Sequence, residues 1–156
     1  YLFDIIVVGD TEICDGESVE LQAPVIEHSD YQWFNDGINL GNNSSTLTVT
    51  ESGIYSVIVQ NICGSGSSNS PIDVVVHNQI DDFVISADGD TEFCIGGEVV
   101  LSTNLQDDVS YQWTKDGEPI GENSNTLIAN ESGEYSLIIT NNCGSKESTN
   151  SIYIVI

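Results

Sequence analysis

The heptapeptide Tyr31-Gln32-Trp33-Phe34-Asn35-Asp36-Gly37 recurs 80 residues later as Tyr111-Gln112-Trp113-Thr114-Lys115-Asp116-Gly117. The repetition extends well beyond this stretch, since about 33 of the 76 positions paired at this offset are identical. Repetition at a fixed spacing is the sequence signature of tandem modules. We therefore predict two copies of one domain, over residues 1–77 and 78–156, joined by a short linker near residues 77–82.

Apolar and polar side chains alternate through most of each copy, which is typical of half-buried β-strands. Tyr31 and Trp33 follow this period of two, and the dipeptide Asp36-Gly37 directly after them predicts a tight turn. Many short strands in about 80 residues indicate an all-β fold in which each copy forms a β-sandwich. The predicted strands, lettered A, B, C, E, F and G, are 2–8, 18–23, 31–35, 46–50, 54–61 and 68–76 in the first copy, and 83–87, 98–103, 111–115, 126–130, 134–141 and 148–155 in the second.

The charge balance is strongly acidic. The chain has 25 Asp and Glu residues against two lysines and no arginine, which gives a formal net charge of −23. Such a charge repels nucleic acid and anionic membranes, so we expect neither nucleic-acid binding nor membrane insertion. Three interpretations remain open: a solvated acidic surface, divalent-cation binding, and adaptation to high salt.

A longer series of motifs is present in both copies. In the first copy they are Cys14-x-Gly16-x-x-Val19-x-Leu21, Tyr31-Gln32-Trp33, Asp36-Gly37, Glu51-Ser52-Gly53-x-Tyr55 and Asn61-x-Cys63-Gly64. This series resembles the Ig-like and PKD-like repeats of large secreted and cell-surface proteins of Bacteroidetes, which include gliding adhesins and substrates of type IX secretion. The resemblance implies two tandem immunoglobulin-like β-sandwich domains in an end-to-end array. It also implies an extracellular location and a structural or adhesive role, with neighbouring repeats of the same protein as partners. Any glycan or protein ligand would then bind through other domains.

Four aromatic residues are predicted to form the structural core. Trp33 and Trp113 alternate with polar glutamines on strand C, which favours packing between the sheets over a sugar-stacking surface. Tyr55 and Tyr135 follow Ser-Gly at the start of strand F and are similar to the tyrosine corner of Ig-type sandwiches.

The cysteine spacing predicts an oxidised framework, since no CxxC motif or repeated histidine suggests zinc. Cys14 precedes strand B and Cys63 follows strand F, which spans about 26 Å at ~3.3 Å per residue. A disulfide needs Cα atoms within about 7 Å, so this register favours an interdomain Cys14–Cys143 bond. It leaves Cys63 and Cys94 for the preceding and following repeats. The alternative, Cys14–Cys63 with Cys94–Cys143, requires a different strand register and stays open.

Acidic residues cluster in the turns and linker at the predicted domain joint. Hard oxygen ligands of this kind bind Ca²⁺, although no EF-hand spacing is present. Calcium is therefore the one cofactor that we consider, against the interpretation of a merely solvated end. The candidate ligands are Asp15, Glu17, Glu51, Asp81, Asp82, Asp107 and Asp108.

No catalytic residues are predicted. Neither His28 nor His77 recurs in the other copy, and no carboxylate pair has an evident base beside it. The sequence therefore favours a non-enzymatic structural or adhesive repeat of a long extracellular surface protein or filament, forming a rigid, disulfide-stapled acidic stalk. The alternative is a carbohydrate-binding accessory module of a secreted polysaccharide-degrading enzyme, which would need repeated exposed aromatic residues.

Overall fold

The structure, a computed structural model, describes all residues from 1 to 156. The structure contains eighteen strands and no helix. It therefore has no helix that could cross a membrane. The chain divides into two compact units, Tyr1–Asn78 and Gln79–Ile156. The division lies one residue beyond the boundary that the sequence predicts.

The first unit consists of short strands separated by turns. Its strands are β1 (Leu2–Phe3), β2 (Ile6–Val8), β3 (Glu12–Cys14), β4 (Val19–Gln22), β5 (Asp30–Asn35), β6 (Ile38–Asn39), β7 (Thr46–Val49), β8 (Gly53–Asn61), β9 (Gly64–Ser68) and β10 (Ile72–His77).

These strands form two sheets. One sheet has the order β2-β4-β7, and the other seven strands form the second sheet around the long strand β8. Strand β5 pairs with β8 on one side, while β9 and β10 pair with it on the other. Side chains from both sheets, including Leu21, Trp33 and Val57, are fully buried in one core. The unit is therefore a β-sandwich.

The second unit repeats this plan with fewer strands. They are β11 (Ser86–Ala87), β12 (Val99–Ser102), β13 (Ser110–Lys115), β14 (Glu118–Ile120), β15 (Thr126–Ala129), β16 (Gly133–Asn141), β17 (Gly144–Glu147) and β18 (Ile152–Ile154).

Its two sheets follow the same division. One has the order β11-β12-β15, and the other contains β13, β14, β16, β17 and β18, with β16 at its centre. Leu101, Trp113 and Leu137 are fully buried in a core of its own. The C, E and F strands of both units end within one residue of the predicted positions, whereas the short strands β6 and β14 were not predicted.

The prediction of one continuous strand A over residues 2–8 was wrong. Strand β1 pairs in parallel with β9 in one sheet, and β2 pairs antiparallel with β4 in the other. The chain crosses between the sheets at Asp4 and Ile5, and the Ile5 side chain is buried. It then returns as β3, which runs parallel to β10. In the second unit, only Ser86–Ala87 of the predicted 83–87 forms a strand.

The predicted strands G, over residues 68–76 and 148–155, are partly right: β10 and β18 form within or beside them, but each begins four residues after the serine that was predicted to start it. The Ser68 hydroxyl accepts a hydrogen bond of 3.2 Å from the Val57 backbone N–H, and Ser148 does the same for Leu137. A side chain thus replaces the backbone carbonyl that a continuous ladder would supply. The segments that lead up to these serines form the additional strands β9 and β17, which were not predicted.

Candidate functional site

The two tryptophans lie in the cores of their units. Both side chains have 0% relative exposure. The Trp33 indole N–H donates a hydrogen bond of 2.8 Å to the Ser44 carbonyl oxygen, and Trp113 donates one of 2.9 Å to Ser124. A buried indole with a satisfied N–H stabilises the sandwich and offers no face on which a sugar can stack.

The two corner tyrosines join the start of strand F to the turn before it. Tyr55 donates a hydrogen bond to the Glu51 carbonyl oxygen, and Tyr135 donates one to Glu131, both over 2.9 Å. Burial is the main cause that raises the pKa of each tyrosine above its usual value of 10.0. Both hydroxyls therefore stay protonated as donors at neutral pH, which is what a structural corner requires.

The units differ beside these tyrosines. In the first, the Asn35 amide donates a hydrogen bond of 3.2 Å to the Tyr55 hydroxyl. In the second, the equivalent residue Lys115 forms an ion pair with Glu131. Their hydrogen bond raises the pKa of Lys115 and lowers the pKa of Glu131. Sequence reasoning missed this pair, although the Asn-to-Lys difference between the copies signals it.

The cysteines of the first unit lie at opposite ends of strand β8. Cys14 ends β3 and pairs with His77, beyond the point where Val74 pairs with Gly53 at the start of β8. Cys63 lies in the turn after β8, where its backbone N–H donates to Asn61 Oδ1 over 2.9 Å. Strand β8 has nine residues, which corresponds to about 30 Å.

The second unit places its cysteines in the same way. Cys94 lies near the start of β16, because Glu92 bridges to Val155 and Ile154 pairs with Gly133. Cys143 lies in the turn after β16, with its backbone N–H donating to Asn141 Oδ1 over 2.8 Å. A bond within either unit would have to span the length of the central strand.

The oxidation states agree with this geometry. Cys14 and Cys143 are disulfide-bonded, whereas Cys63 and Cys94 have free, exposed thiols. The Cys14–Cys143 pairing that the strand register favours stays a prediction. The alternative pairs, Cys14–Cys63 and Cys94–Cys143, do not form in this structure.

Each cysteine turn carries a neighbouring residue that sequence reasoning did not single out. Ile62 beside Cys63 has 102% relative exposure, and Ile95 beside Cys94 has 92%. The residues equivalent to these isoleucines, Asn142 and Asp15, are polar. A comparison of the two copies position by position would have found this difference.

The acidic residues proposed as calcium ligands have other partners or are solvated. Glu17 accepts a hydrogen bond of 2.8 Å from the Cys14 backbone N–H, and Asp82 forms an ion pair of 2.8 Å with Lys146. No three His, Cys, Asp or Glu side chains form a group that could hold a metal ion. Calcium binding by these residues therefore stays a prediction. The other candidates, Asp15, Glu51, Asp81, Asp107 and Asp108, are partly or fully exposed.

No protein-family model and no curated protein matches the chain. Solved immunoglobulin-domain structures do match. The four N-terminal Ig domains of Dscam1 isoform 6.9 align at 19% identity and a TM-score of 0.62, over 92% of this chain and 42% of that one. Murine CEACAM1b aligns at 14% identity and a TM-score of 0.60, over 94% of this chain and 96% of that one. The titin I-band fragment I67–I69 aligns at 18% identity and a TM-score of 0.56, over 92% and 61%.

At these identities the likeness shows the fold alone. The chain consists of two immunoglobulin-like β-sandwich domains, and it spans 42% of the Dscam1 structure that it matches. The Ig-like part of the sequence resemblance is thereby confirmed. Its bacterial lineage and cell-surface setting rest on the sequence motifs.

Proposed function

We propose that this chain is a non-enzymatic segment of a long extracellular surface protein, in which it acts as a rigid, acidic, disulfide-stapled stalk. The observation that carries this proposal is the bonded state of Cys14 and Cys143, which lie in different repeats. Disulfides persist in oxidising compartments, which supports an extracellular setting. The resemblance to repeats of Bacteroidetes adhesins supports a structural or adhesive role.

The proposed bond would determine how the chain carries tension. A Cys14–Cys143 bond would close a covalent loop that contains residues 15–142. Force applied to the two ends of the chain passes through the bond and bypasses this loop. Only residues 1–13 and 144–156 can then lengthen the chain. These segments contain the core residues Ile5, Ile13 and Ile154, and the rest of both cores is protected from forced extension.

Pulling single molecules from both ends tests this mechanical role. A Cys63→Ser/Cys94→Ser variant removes the free thiols and leaves the proposed staple intact. We expect at most about 90 Å of extension under oxidising conditions, and two further steps of about 220 Å each after reduction, at ~3.5 Å per residue. A matched variant that also carries Cys14→Ser should show both steps without reductant. Two full steps in the oxidised parent would contradict the stalk proposal.

The net charge of −23 is consistent with an extended surface protein. Like charge keeps copies soluble and opposes non-specific collapse of long arrays onto themselves. It also disfavours nucleic acid as a partner. Neighbouring repeats of the same parent protein are therefore the partners that we propose, and ligand binding would occur through other domains.

The competing function, a carbohydrate-binding accessory module, lacks its main requirement. Tyr1 and Tyr153 are the large aromatic residues with broadly exposed side chains. Their counterparts at an offset of 80 are Asp81 and Asp73, so neither aromatic recurs. Binding to a glycan array, with loss on Tyr153→Ala, would favour the accessory module over the stalk.

Calcium is a separate proposal that rests on the number of acidic residues in the turns and linker. Binding to the folded state would raise the melting temperature by mass action. We expect a higher melting temperature in millimolar calcium than in EDTA, and a smaller difference for Asp81→Asn/Asp82→Asn. Equal melting temperatures in both solutions would remove calcium from the proposed function.

A further inference from the structure

The two free cysteines are the repeat counterparts of the two bonded ones. At an offset of 80, Cys94 corresponds to Cys14 and Cys63 corresponds to Cys143. The two bonded cysteines are thus the first cysteine of one repeat and the second cysteine of the other. We call each cysteine together with its turn a half-site. The half-sites of Cys63 and Cys94 are of the same two kinds, and neither thiol is bonded within this chain.

The free half-sites have the local backbone of the bonded ones. The Cys63 N–H donates to Asn61 Oδ1 over 2.9 Å, and the Cys143 N–H donates to Asn141 Oδ1 over 2.8 Å. On the other side, the Gly97 N–H donates to the Cys94 carbonyl oxygen over 3.0 Å, as Glu17 does to Cys14 over 2.9 Å. A turn that already has the conformation of a bonded site loses little freedom when its thiol is joined.

Residues that flank the two free cysteines match each other in chemistry. Ile62 and Ile95 are almost completely exposed, which is unfavourable for large aliphatic side chains in water. The bonded cysteines have Asn142 and Asp15 at these positions. Both free half-sites thus carry an apolar residue where the bonded ones carry a polar one, as expected if the two free half-sites cover one another.

Charge differs between the two kinds of half-site in the same concerted way. Three residues after each bonded cysteine the chain has a charged side chain, Glu17 after Cys14 and Lys146 after Cys143. Three residues after each free cysteine it has a glycine, Gly97 after Cys94 and Gly66 after Cys63. The bonded half-sites thus carry opposite charges and the free half-sites carry none there. Complementary sites select their partners in this manner.

Both free thiols border concave surface that includes apolar side chains. Cys63 lines a groove of about 270 Å³ together with Tyr1, Ile26 and Val59. The buried Ser29 hydroxyl lines the same groove and has no hydrogen-bond partner. Cys94 lines a second, shallow cleft, in which Phe93 and Val155 lie beside the polar side chains of Asp90, Thr91 and Glu92. These surfaces can receive an isoleucine from a facing half-site.

From these observations we infer that copies of this chain join head to tail through a Cys63–Cys94 disulfide, covered by contact between Ile62 and Ile95. The inference rests on the proposed stalk function and adds its mode of extension, with a second copy of this chain as the partner. The polymer would alternate Cys14–Cys143 bonds inside each copy with Cys63–Cys94 bonds between copies.

The bond forms by thiol–disulfide exchange with oxidised glutathione. A Cys63 thiolate attacks one glutathione sulfur, which breaks the glutathione disulfide, forms a mixed disulfide and releases one glutathione thiolate. The Cys94 thiolate of the second copy then attacks the Cys63 sulfur and displaces the second glutathione thiolate. Two protein thiols are oxidised, one glutathione disulfide is reduced to two thiols, and the two thiol protons pass to solvent or to the released thiolates.

Two single variants test the specificity of the bond. Cys63→Ser retains only Cys94 as a free thiol, and Cys94→Ser retains only Cys63. We mix them, with one isotope-labelled, in a glutathione redox buffer at about 0.5 M salt to screen the negative charge. Heterodimers should exceed either homodimer about tenfold, and peptide mapping should find the Cys63–Cys94 link. The unsubstituted chain should form a ladder of higher oligomers on a non-reducing gel.

Variants of the flanking residues separate recognition from chance collision. Ile62→Asn and Ile95→Asp restore the residues of the bonded half-sites and should reduce the heterodimer excess to the statistical mixture. Ile128→Asn, at an exposed position on β15, is the matched control and should keep the excess.

Three results would overturn the inference. The first is a statistical mixture of dimers from the Cys63→Ser and Cys94→Ser variants that retain both isoleucines. The others are a Cys63–Cys94 bond within one chain, or exchange of a free thiol into the Cys14–Cys143 bond. Each is distinct from failure of the stalk proposal, which is judged on the Cys63→Ser/Cys94→Ser variant by the extension that Cys14–Cys143 allows.

Discussion

The hydroxyl of Tyr55 donates a hydrogen bond to the carbonyl oxygen of Glu51 over 2.9 Å. The equivalent Tyr135 makes the same bond to Glu131 at the same distance. Two copies with many differing residues thus keep one contact, which ties the turn before the central strand to the core. This contact holds the end of each sandwich at which the first cysteine lies.

Replacement of Tyr55 or Tyr135 by phenylalanine should lower the free energy of unfolding of the affected unit by about 1 kcal/mol, the usual contribution of one such hydrogen bond. The aromatic ring and its packing are retained, so the loss reports the hydroxyl. Urea denaturation measures it. Tyr153→Phe, at an exposed position, is the control and should change stability by much less.

Alkaline pH should destabilise both units through these tyrosines. Burial raises the folded pKa of Tyr55 and Tyr135 above 10.0, so the folded state disfavours the phenolate. Their contribution to stability is complete below about pH 10 and falls as the pH rises towards the folded pKa. Absorbance of tyrosinate should show these two residues titrating late, together with Tyr153, whose pKa is raised by its hydrogen bond with Glu134. In a Tyr55→Phe/Tyr135→Phe variant the late phase should fall to the contribution of Tyr153, and an unchanged amplitude would contradict the assignment.

Gly53→Ala should destabilise the first unit more than Gly37→Ala. Both glycines have positive φ, 151° and 80°, so alanine is strained at either position. A Cβ at Gly53 would also lie 1.8 Å from Asn35 Oδ1, whereas a Cβ at Gly37 meets nothing within 4 Å. The difference between the two variants should be about 1–3 kcal/mol, as for overpacking. Thermal or urea unfolding measures the stability of both variants. Equal losses of stability would show that the clash with Asn35 does not add to the cost of Gly53→Ala.

Thiol titration should find two reactive thiols in the oxidised monomer and four after complete reduction, since Cys63 and Cys94 are free. Cys14→Ser should release Cys143 and give three thiols. Cys14→Ser/Cys143→Ser should return the count to two. An oxidised monomer without reactive thiols would show that all four cysteines are paired.

Local pattern was sufficient to place the central strands. Tyr31 and Trp33 alternate with Gln32, and Val57 and Val59 alternate on strand F, so the buried face could be predicted from the period of two. The structure buries these side chains. The same logic missed the interruptions at Ile5 and Ser68, because an apolar side chain at a crossing and a serine facing a backbone N–H look ordinary in sequence.

The candidate site was predictable only in part. The strand register indicated that Cys14 and Cys63 lie at opposite ends of strand F, which favoured pairing with the other repeat. The exposed isoleucines beside Cys63 and Cys94 were not predicted, because they differ between the copies and so lie outside the repeated motifs. The Lys115–Glu131 pair was missed for the same reason.

By itself, the sequence determined that one module is written twice, that it is all β, and which faces of its central strands are buried. These properties follow from repetition and side-chain alternation, which are local. Only the tertiary structure decided which sheet each piece of strands A and G joins, and which cysteines are bonded. Those outcomes depend on backbone partners and sulfur atoms that lie far apart along the chain, and no local pattern specifies them.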